Sequence, residues 1–227
     1  MADSDTRQRI LDVAEELFTE QGFDATTLRQ ITGAAEVNLA AVNYHFGSKE
    51  ELIREVFRRR LTMLNQQRLQ ELDRLEAAAG GRPVKPSQIL EVFFGVALRM
   101  AGDTKGGGRT FMRLLGRTYS KPSEFVRSFM AEEYAAVIAR FKAALIKALP
   151  GVPGKEILWR FHFMLGAMSY AISGTDALDF AAGDELDDND ADALYARLMS
   201  FMLGGLRAPL PDLRGAAVKP PRVRNAA

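Results

Sequence analysis

The 227-residue chain contains no cysteine. A disulfide framework, a thiolate nucleophile and a zinc–thiolate site are therefore excluded. Histidine is scarce, with only His45 and His162. No second ligand stands four residues from His162, and a metal site needs several ligands in register, so no metal is expected. Long hydrophobic runs are missing. The best candidates are broken by Glu91 and Arg99, and by Arg160 and His162, and fall short of the roughly 18 apolar residues of a spanning helix. The first residues are polar and charged, unlike a signal peptide. The expectation is a cytoplasmic protein without a membrane partner. No nucleophile–base pairing stands out, so neither an enzyme nor a cofactor is expected.

An excess of charge is lacking too. Thirty Lys and Arg stand against 29 Asp and Glu, a formal net charge of +1. From Met1 to Arg60, eight Lys and Arg face eleven Asp and Glu, a balance of −3. The overall basic footprint of a nucleic-acid binder is absent there, so DNA contact would rest on a few placed groups.

What the chain does have is helical periodicity, and 47% hydrophobic residues to bury. That suits one large or two small domains. Ile10, Val13, Ala14, Leu17 and Phe18 form a stripe on a first helix from about Asp5 to Gln21, stopped by Gly22. Thr27 is a good N-cap, with Gln30 in the capping-box position. Leu28, Ile31, Ala34 and Ala35 then share one face. Glu36-Val37 makes a turn, and Asn38 can cap a second short helix whose Leu39, Val42 and Phe46 lie on one side. Helices this short are stable only when pinned to neighbours. The pair reads as a helix-turn-helix that presents its second helix to a DNA groove. Ser48 and Glu51 suggest another capping box. The long helix that follows carries Leu52, Ile53, Val56, Phe57, Leu61, Leu64, Leu69, Leu72 and Leu75, and runs to about Glu76. It would span roughly 40 Å.

Ala77 to Pro86 is a boundary rich in Gly and Pro. Beyond it the pattern predicts helices over Gln88–Ala101 (capped by Ser87), Arg109–Thr118, Ser123–Leu149 (opened by Pro122), Lys155–Ser173 and Asp190–Leu206. Gly102–Thr110 resembles a phosphate loop only faintly. Arg109 stands where that loop needs lysine, and no strand precedes it, so an interhelical loop is expected. The acidic run Asp184–Asp190 lacks the glycine and glutamate spacing of a calcium loop. The expectation is an all-α fold of about nine helices with no repeat. Residues 1–48 form the DNA-binding domain, 49–76 a connecting helix and 77–207 a ligand-binding and dimerisation domain. Residues 208–227, rich in proline, form a disordered tail.

The ordered residues Ile10, Ala14, Leu17, Phe18, Gly22, Thr26, Thr27, Ile31, Ala34, Val37, Tyr44, His45, Phe46, Lys49, Leu52 and Ile53 resemble the TetR family of transcriptional regulators. The run Val37–Ile53 is similar to its PsrA-like subgroup. The resemblance implies a TetR-like fold and a ligand-responsive, homodimeric repressor of a palindromic double-stranded DNA operator. It places Thr27, Asn43, Tyr44, His45 and Lys49 at DNA-contacting positions. Asn43 is then the candidate base reader, while Thr27 and Lys49 meet phosphates. Asn38, Leu39, Ala40 and Ala41 complete the surface, since small side chains let the backbone approach. Leu39, Ala40 and Asn43 depart from the commoner family pattern.

Helix Lys155–Ser173 has two apolar faces. Ile157, Phe161, Met164, Leu165, Met168 and Ile172 make one, and Trp159, Phe163, Gly166 and Tyr170 the other. By resemblance, the second face and Leu194, Leu198, Phe201 and Met202 form a four-helix dimer interface. Phe93, Val96, Met100, Phe111, Met112, Leu115, Phe129 and Met168 are candidates for an apolar ligand site, with Arg99, then Arg113 or His162, as the polar partner. His162 otherwise reads as a hydrogen-bonded core histidine. The subgroup implies a long-chain fatty acid or acyl-CoA. Two other readings remain: a repressor answering multidrug or aromatic compounds, and a DNA-binding protein with no ligand.

Overall fold

Nine helices and no strand make up the described residues of a computed structural model, which are 2–103, 105–120, 124–173 and 191–212. The expected helix start at Pro122, the acidic run Asp184–Asp190 and the tail beyond 212 lie outside them.

The first three helices are α1 (Ala2–Gln21), α2 (Leu28–Ala34) and α3 (Leu39–Phe46). Gly22 ends α1 at φ +83°, where a side chain would be strained. Thr27 caps α2. Its hydroxyl accepts from the Gln30 amide, while the Gln30 side chain accepts from the Thr27 amide at 2.7 Å. The inner stripe of α2 differs from the expected one: Ala34 is exposed and Thr32 is buried. Glu36 takes φ +53° in the turn. Asn38 then caps α3 by accepting from the Ala41 amide at 2.8 Å. Val42 and Phe46 seat α3 on Ile10, Leu11, Ala14, Ile31 and Ala35, all buried. Leu39 does not join them and is 44% exposed.

Helix α4 (Lys49–Ala79) has 31 residues, about 46 Å at the usual rise. It extends past the expected Glu76 to a left-handed cap at Gly80. Only half of the expected capping box forms. Ser48 accepts from the Glu51 amide at 3.1 Å, but its own amide donates to the Phe46 carbonyl and Glu51 takes Arg54 at 2.7 Å. The buried positions of α4 first close the three-helix head and then enter the larger helical body.

That body holds α5, α6 (Gly108–Ser120), α7 (Glu124–Ala148), α8 (Gly154–Ile172) and α9 (Ala191–Arg207). Helix α5 has α-helical ends, Pro86–Leu90 and Val96–Gly102, around a π-helical turn, Glu91–Gly95. Its N-cap is Lys85, with Pro86 at the first turn, not Ser87. A fixed φ and a missing N–H suit proline to that position. Helices α6 and α8 cross closely at Gly116, where an added Cβ would lie 2.8 Å from the Ser169 carbonyl. Arg160 of α8 is buried and donates to the Leu206 carbonyl at 2.5 Å, capping α9. The sequence offered Arg160 only as a break in an apolar run. Phe57 joins head and body, with its ring 5.8 Å from Phe23, 6.0 Å from Phe111 and 6.2 Å from Phe129. Nearby, the buried Glu15 pairs with Arg59 and Arg60, and Arg117 of α6 donates to the Thr19 carbonyl of α1.

Candidate nucleic-acid interface and ligand cavity

The outer surface of α3 is built by what its inner side buries. With Val42 and Phe46 turned inward, Leu39, Ala40, Asn43 and Tyr44 face out, Tyr44 at 78% exposure. Ala41, His45 and Lys49 are half-buried beside them. The Tyr44 and His45 rings meet edge-on at 5.1 Å. Thr27 and Asn38 are exposed, but their side-chain oxygens are already used as caps. Leu39 is thus corrected from the side it was expected to share with Val42 and Phe46, and stands on the outer surface where the DNA-contact reading also put it. Arg29, exposed two residues after the Thr27 cap, belongs to the same rim. Sequence reasoning passed over it; the available signal was a basic residue in the first turn of α2.

Some of the head's carboxylates are paired away from this surface. Asp12 pairs with Arg59 at 2.6 Å, Glu51 with Arg54 at 2.7 Å, and Glu55 with Arg7 and Arg58. These carboxylates are held by cations of α1 and α4, so they do not oppose a polyanion at α3.

In the body, an apolar cavity of about 290 Å³ opens between α5, α6, α7 and α8. Phe93, Tyr119, Met130, Tyr134, Ile138 and Leu165 wall it, and the exposed Arg127 is also part of the lining. Of the ten expected ligand residues, only Phe93 lines it. Phe111, Met112, Leu115 and Phe129 are buried where the head meets the body. Met168 is fully packed and Met100 half-buried. Val96 and Arg99 line a different, open and charged groove with Glu71, Arg74 and Glu91. Arg99 is neither at the cavity nor free, since it pairs with Glu91 at 2.7 Å, and Arg113 is exposed away from the lining. His162 is exposed, contrary to the core reading, with its ring 6.0 Å from Trp159.

Behind the cavity wall lies Arg68 of α4, 1% exposed. Its Nε donates to the Phe93 carbonyl at 2.8 Å, its Nη1 to Asn65 at 3.2 Å, and its guanidinium sits 4.0 Å over the Phe93 ring. Tyr134 stands beside it, and burial pulls the Arg68 pKa down. Burial likewise holds the Tyr119 hydroxyl well above its ordinary value. Tyr195 of α9 donates to Glu91, and desolvation, followed by that bond, pushes its pKa up to about 12.

The second face of α8 is bare. Trp159 is 51% exposed, Phe163 65% and Tyr170 54%, and Gly166 stands open among them. The Trp159 and Phe163 rings stack at 5.8 Å. Phe201 of α9 is also exposed, but Leu198 and Met202 are buried inside the protomer, and Leu194 is half-buried. Those last three therefore belong chiefly to the joint between α9 and the body. In the charged loop before α6, Asp103 accepts from the Lys105 and Gly106 amides at 3.0 and 2.9 Å. These amides already bind a carboxylate, which argues against a phosphate loop.

Residues 10–56 match the family described as bacterial regulatory proteins, tetR family, and residues 91–205 match the tetracyclin repressor-like C-terminal domain. The regulator TcmR of Streptomyces glaucescens is 30% identical over 195 residues, covering 76% of this chain and 82% of TcmR. The regulator AcrR of Shigella flexneri is 45% identical over 53 residues, or 23% of this chain and only 25% of AcrR. That match is confined to a stretch the length of the head. Among solved structures, NalD, the secondary repressor of an efflux pump in Pseudomonas aeruginosa, superposes with a TM-score of 0.54 at 23% identity. The match covers 89% of this chain and 97% of NalD. At that identity the likeness is one of fold.

Proposed function

Because this chain belongs to the tetR family of helix-turn-helix transcriptional regulators, we propose that it is a homodimeric, ligand-responsive repressor of a palindromic operator. The observation that carries the reading is the α3 surface. Asn43 and Tyr44 stand exposed, flanked by small residues, on a helix fixed from behind by Val42 and Phe46. Asn43 reads a base edge, while Thr27, Arg29 and Lys49 meet phosphates and set the register. The bare aromatic face of α8, extended by Phe201, supports a second copy as the partner, because an exposed apolar patch of this kind marks an association surface. The cavity supports an apolar ligand, and its volume of about 290 Å³ lies just under the usual range for small-molecule sites, which suits a slender one. The PsrA-like resemblance of Val37–Ile53 makes a fatty acid or its CoA thioester the ligand class. Ligand binding would bias the dimer between two spacings of its α3 helices through the long α4.

Selection of bound fragments from a random DNA pool tests the reading. The expected product is a pseudo-palindrome with half-sites about one helical turn apart, or a multiple of that. Tyr44→Ala should abolish the sequence preference while the helical circular dichroism is unchanged. A variant that selects the same sites as the wild type would remove α3 as the reading helix.

A further inference from the structure

We infer that the cavity between α5 and α8 takes a carboxylic acid with its charged head inward, recognised by the buried Arg68 through Tyr134. The inference rests on that cavity being the ligand site, and goes on to say which end of the ligand enters first. Three observations carry it. Arg68 is 1% exposed, yet the groups that hold it are a backbone carbonyl, an amide and an aromatic face. Among the described residues no carboxylate lies within ion-pair distance of it. The other buried cation of the body, Arg160, has Glu156 at 3.3 Å. A buried charge without a counter-ion is costly, and its neighbourhood favours any anion that can reach it.

The second observation is adjacency. Phe93 lies against Arg68, Tyr134 is close enough to act on its charge, and both are cavity wall. One layer of side chain therefore separates the guanidinium from the cavity. The third is that the rest of the lining is nearly all apolar, which suits a hydrocarbon or aromatic body. The Tyr134 hydroxyl, in the wall beside Arg68, is the group that would donate its proton to a carboxylate oxygen. Arg68 thus acts as a positioning residue, polarising and orienting Tyr134, and adds its charge in a medium of low dielectric. A CoA thioester offers no charge at the inner end, and its head group is too large for a cavity of about 290 Å³. The free acid is the ligand this arrangement selects. The same contact reports occupancy to α4, because Arg68 also holds the Phe93 carbonyl within the π-helical turn.

The test uses the purified full-length protein with decanoate, methyl decanoate and decanoyl-CoA, read by calorimetric titration and thermal shift. The wild type should bind decanoate at least about tenfold more tightly than the ester, one factor of ten corresponding to ~1.4 kcal/mol. Decanoyl-CoA should compete poorly. Arg68→Met should reduce the acid-to-ester ratio to about one and leave ester binding in place, which a merely structural role would not do. Arg68→Lys should restore part of the ratio, and Arg127→Ala should keep it. Tyr134→Phe, a mild change, should lower it without unfolding the protein. Equal binding of acid and ester by the wild type overturns the inference while the cavity stands as the ligand site. A ratio that survives in Arg68→Met also overturns it. Binding of none of the three probes removes the cavity itself as the acyl site.

Discussion

Phe163→Ala is the sharpest perturbation of the proposed assembly. Phe163 is 65% exposed and stacks on Trp159 at 5.8 Å, so in the lone protomer it supports little else. A buried aromatic side chain removes about 150–250 Å² from water. Covering the free part of this ring would remove roughly 130 Å², about 3 kcal/mol at ~25 cal/mol per Å². A two-fold interface contains the residue twice, so truncation should cost about 6 kcal/mol of dimer stability, or ~10⁴-fold in Kd. Sedimentation equilibrium from nanomolar to micromolar protein reads this directly. The expected result is a wild-type dimer throughout and a variant that dissociates within the range. Its helical content should be retained, because the substituted side chain is mostly outside the protomer core. A Phe163→Ala protein that dimerises as tightly as the wild type would refute the reasoning and free this face from the interface.

Gly116→Ala should lower stability by about 1–3 kcal/mol, because the new Cβ meets the Ser169 carbonyl at 2.8 Å. A rise in Tm, as helix propensity alone would give, contradicts the close crossing. Arg160→Met removes the cap on the Leu206 carbonyl and should cost about 2–3 kcal/mol, a fall of roughly 4–12 °C in Tm for a chain of this size. An unchanged melt would show that α9 docks without it. Tyr195 has a folded pKa of about 12 against an ordinary value of 10.0. Its contribution is therefore complete below pH 10 and lost as the pH rises toward 12. Denaturant midpoints across that window should fall less steeply in Tyr195→Phe, and identical slopes would show that the Tyr195 hydroxyl contributes nothing there.

The head was legible because its signals are local. Thr27 with Gln30, Asn38 before an apolar turn, and Gly22 after a stripe each report a backbone event within four residues. Boundaries shifted where two starts competed, as at Ser87 against Lys85 with Pro86 in the first turn. The α8 faces were legible from period alone, since a helix apolar all round must be covered twice. The cavity was not. Its wall combines Phe93, Tyr119, Tyr134 and Leu165 from four helices, and no periodicity tells which buried side of a helix meets a void. Phe111, Met112 and Leu115 have the same composition and are filled core. Arg68 did carry a signal: it stands four residues after Leu64 and four before Leu72, on the buried stripe of α4. What the stripe could not show is that no carboxylate meets it there. The misplacement of Leu198 and Met202 has a similar origin: a stripe on α9 shows that it packs, but not against which neighbour.

Arg117 and Thr118 are consecutive on α6, yet they serve different neighbours. Arg117 grips the Thr19 carbonyl at the end of α1, and Thr118 belongs to the cavity wall. Successive helical residues point about 100° apart, so the two side chains are spokes of one axle. A guest that shoulders Thr118 aside applies torque to α6. A roll of about 10° at a side-chain radius of ~5–6 Å moves the other spoke by about 1 Å, comparable to helix shifts that accompany regulatory switching. That displacement is delivered to the last turn of α1 without tilting α4 at all. Under the proposed ligand response, the head would then be steered by two inputs, a swing from α4 and a twist from α6. Ligands of different shape that load the two unequally would drive the reading helices to different end points, not merely to different fractions of one.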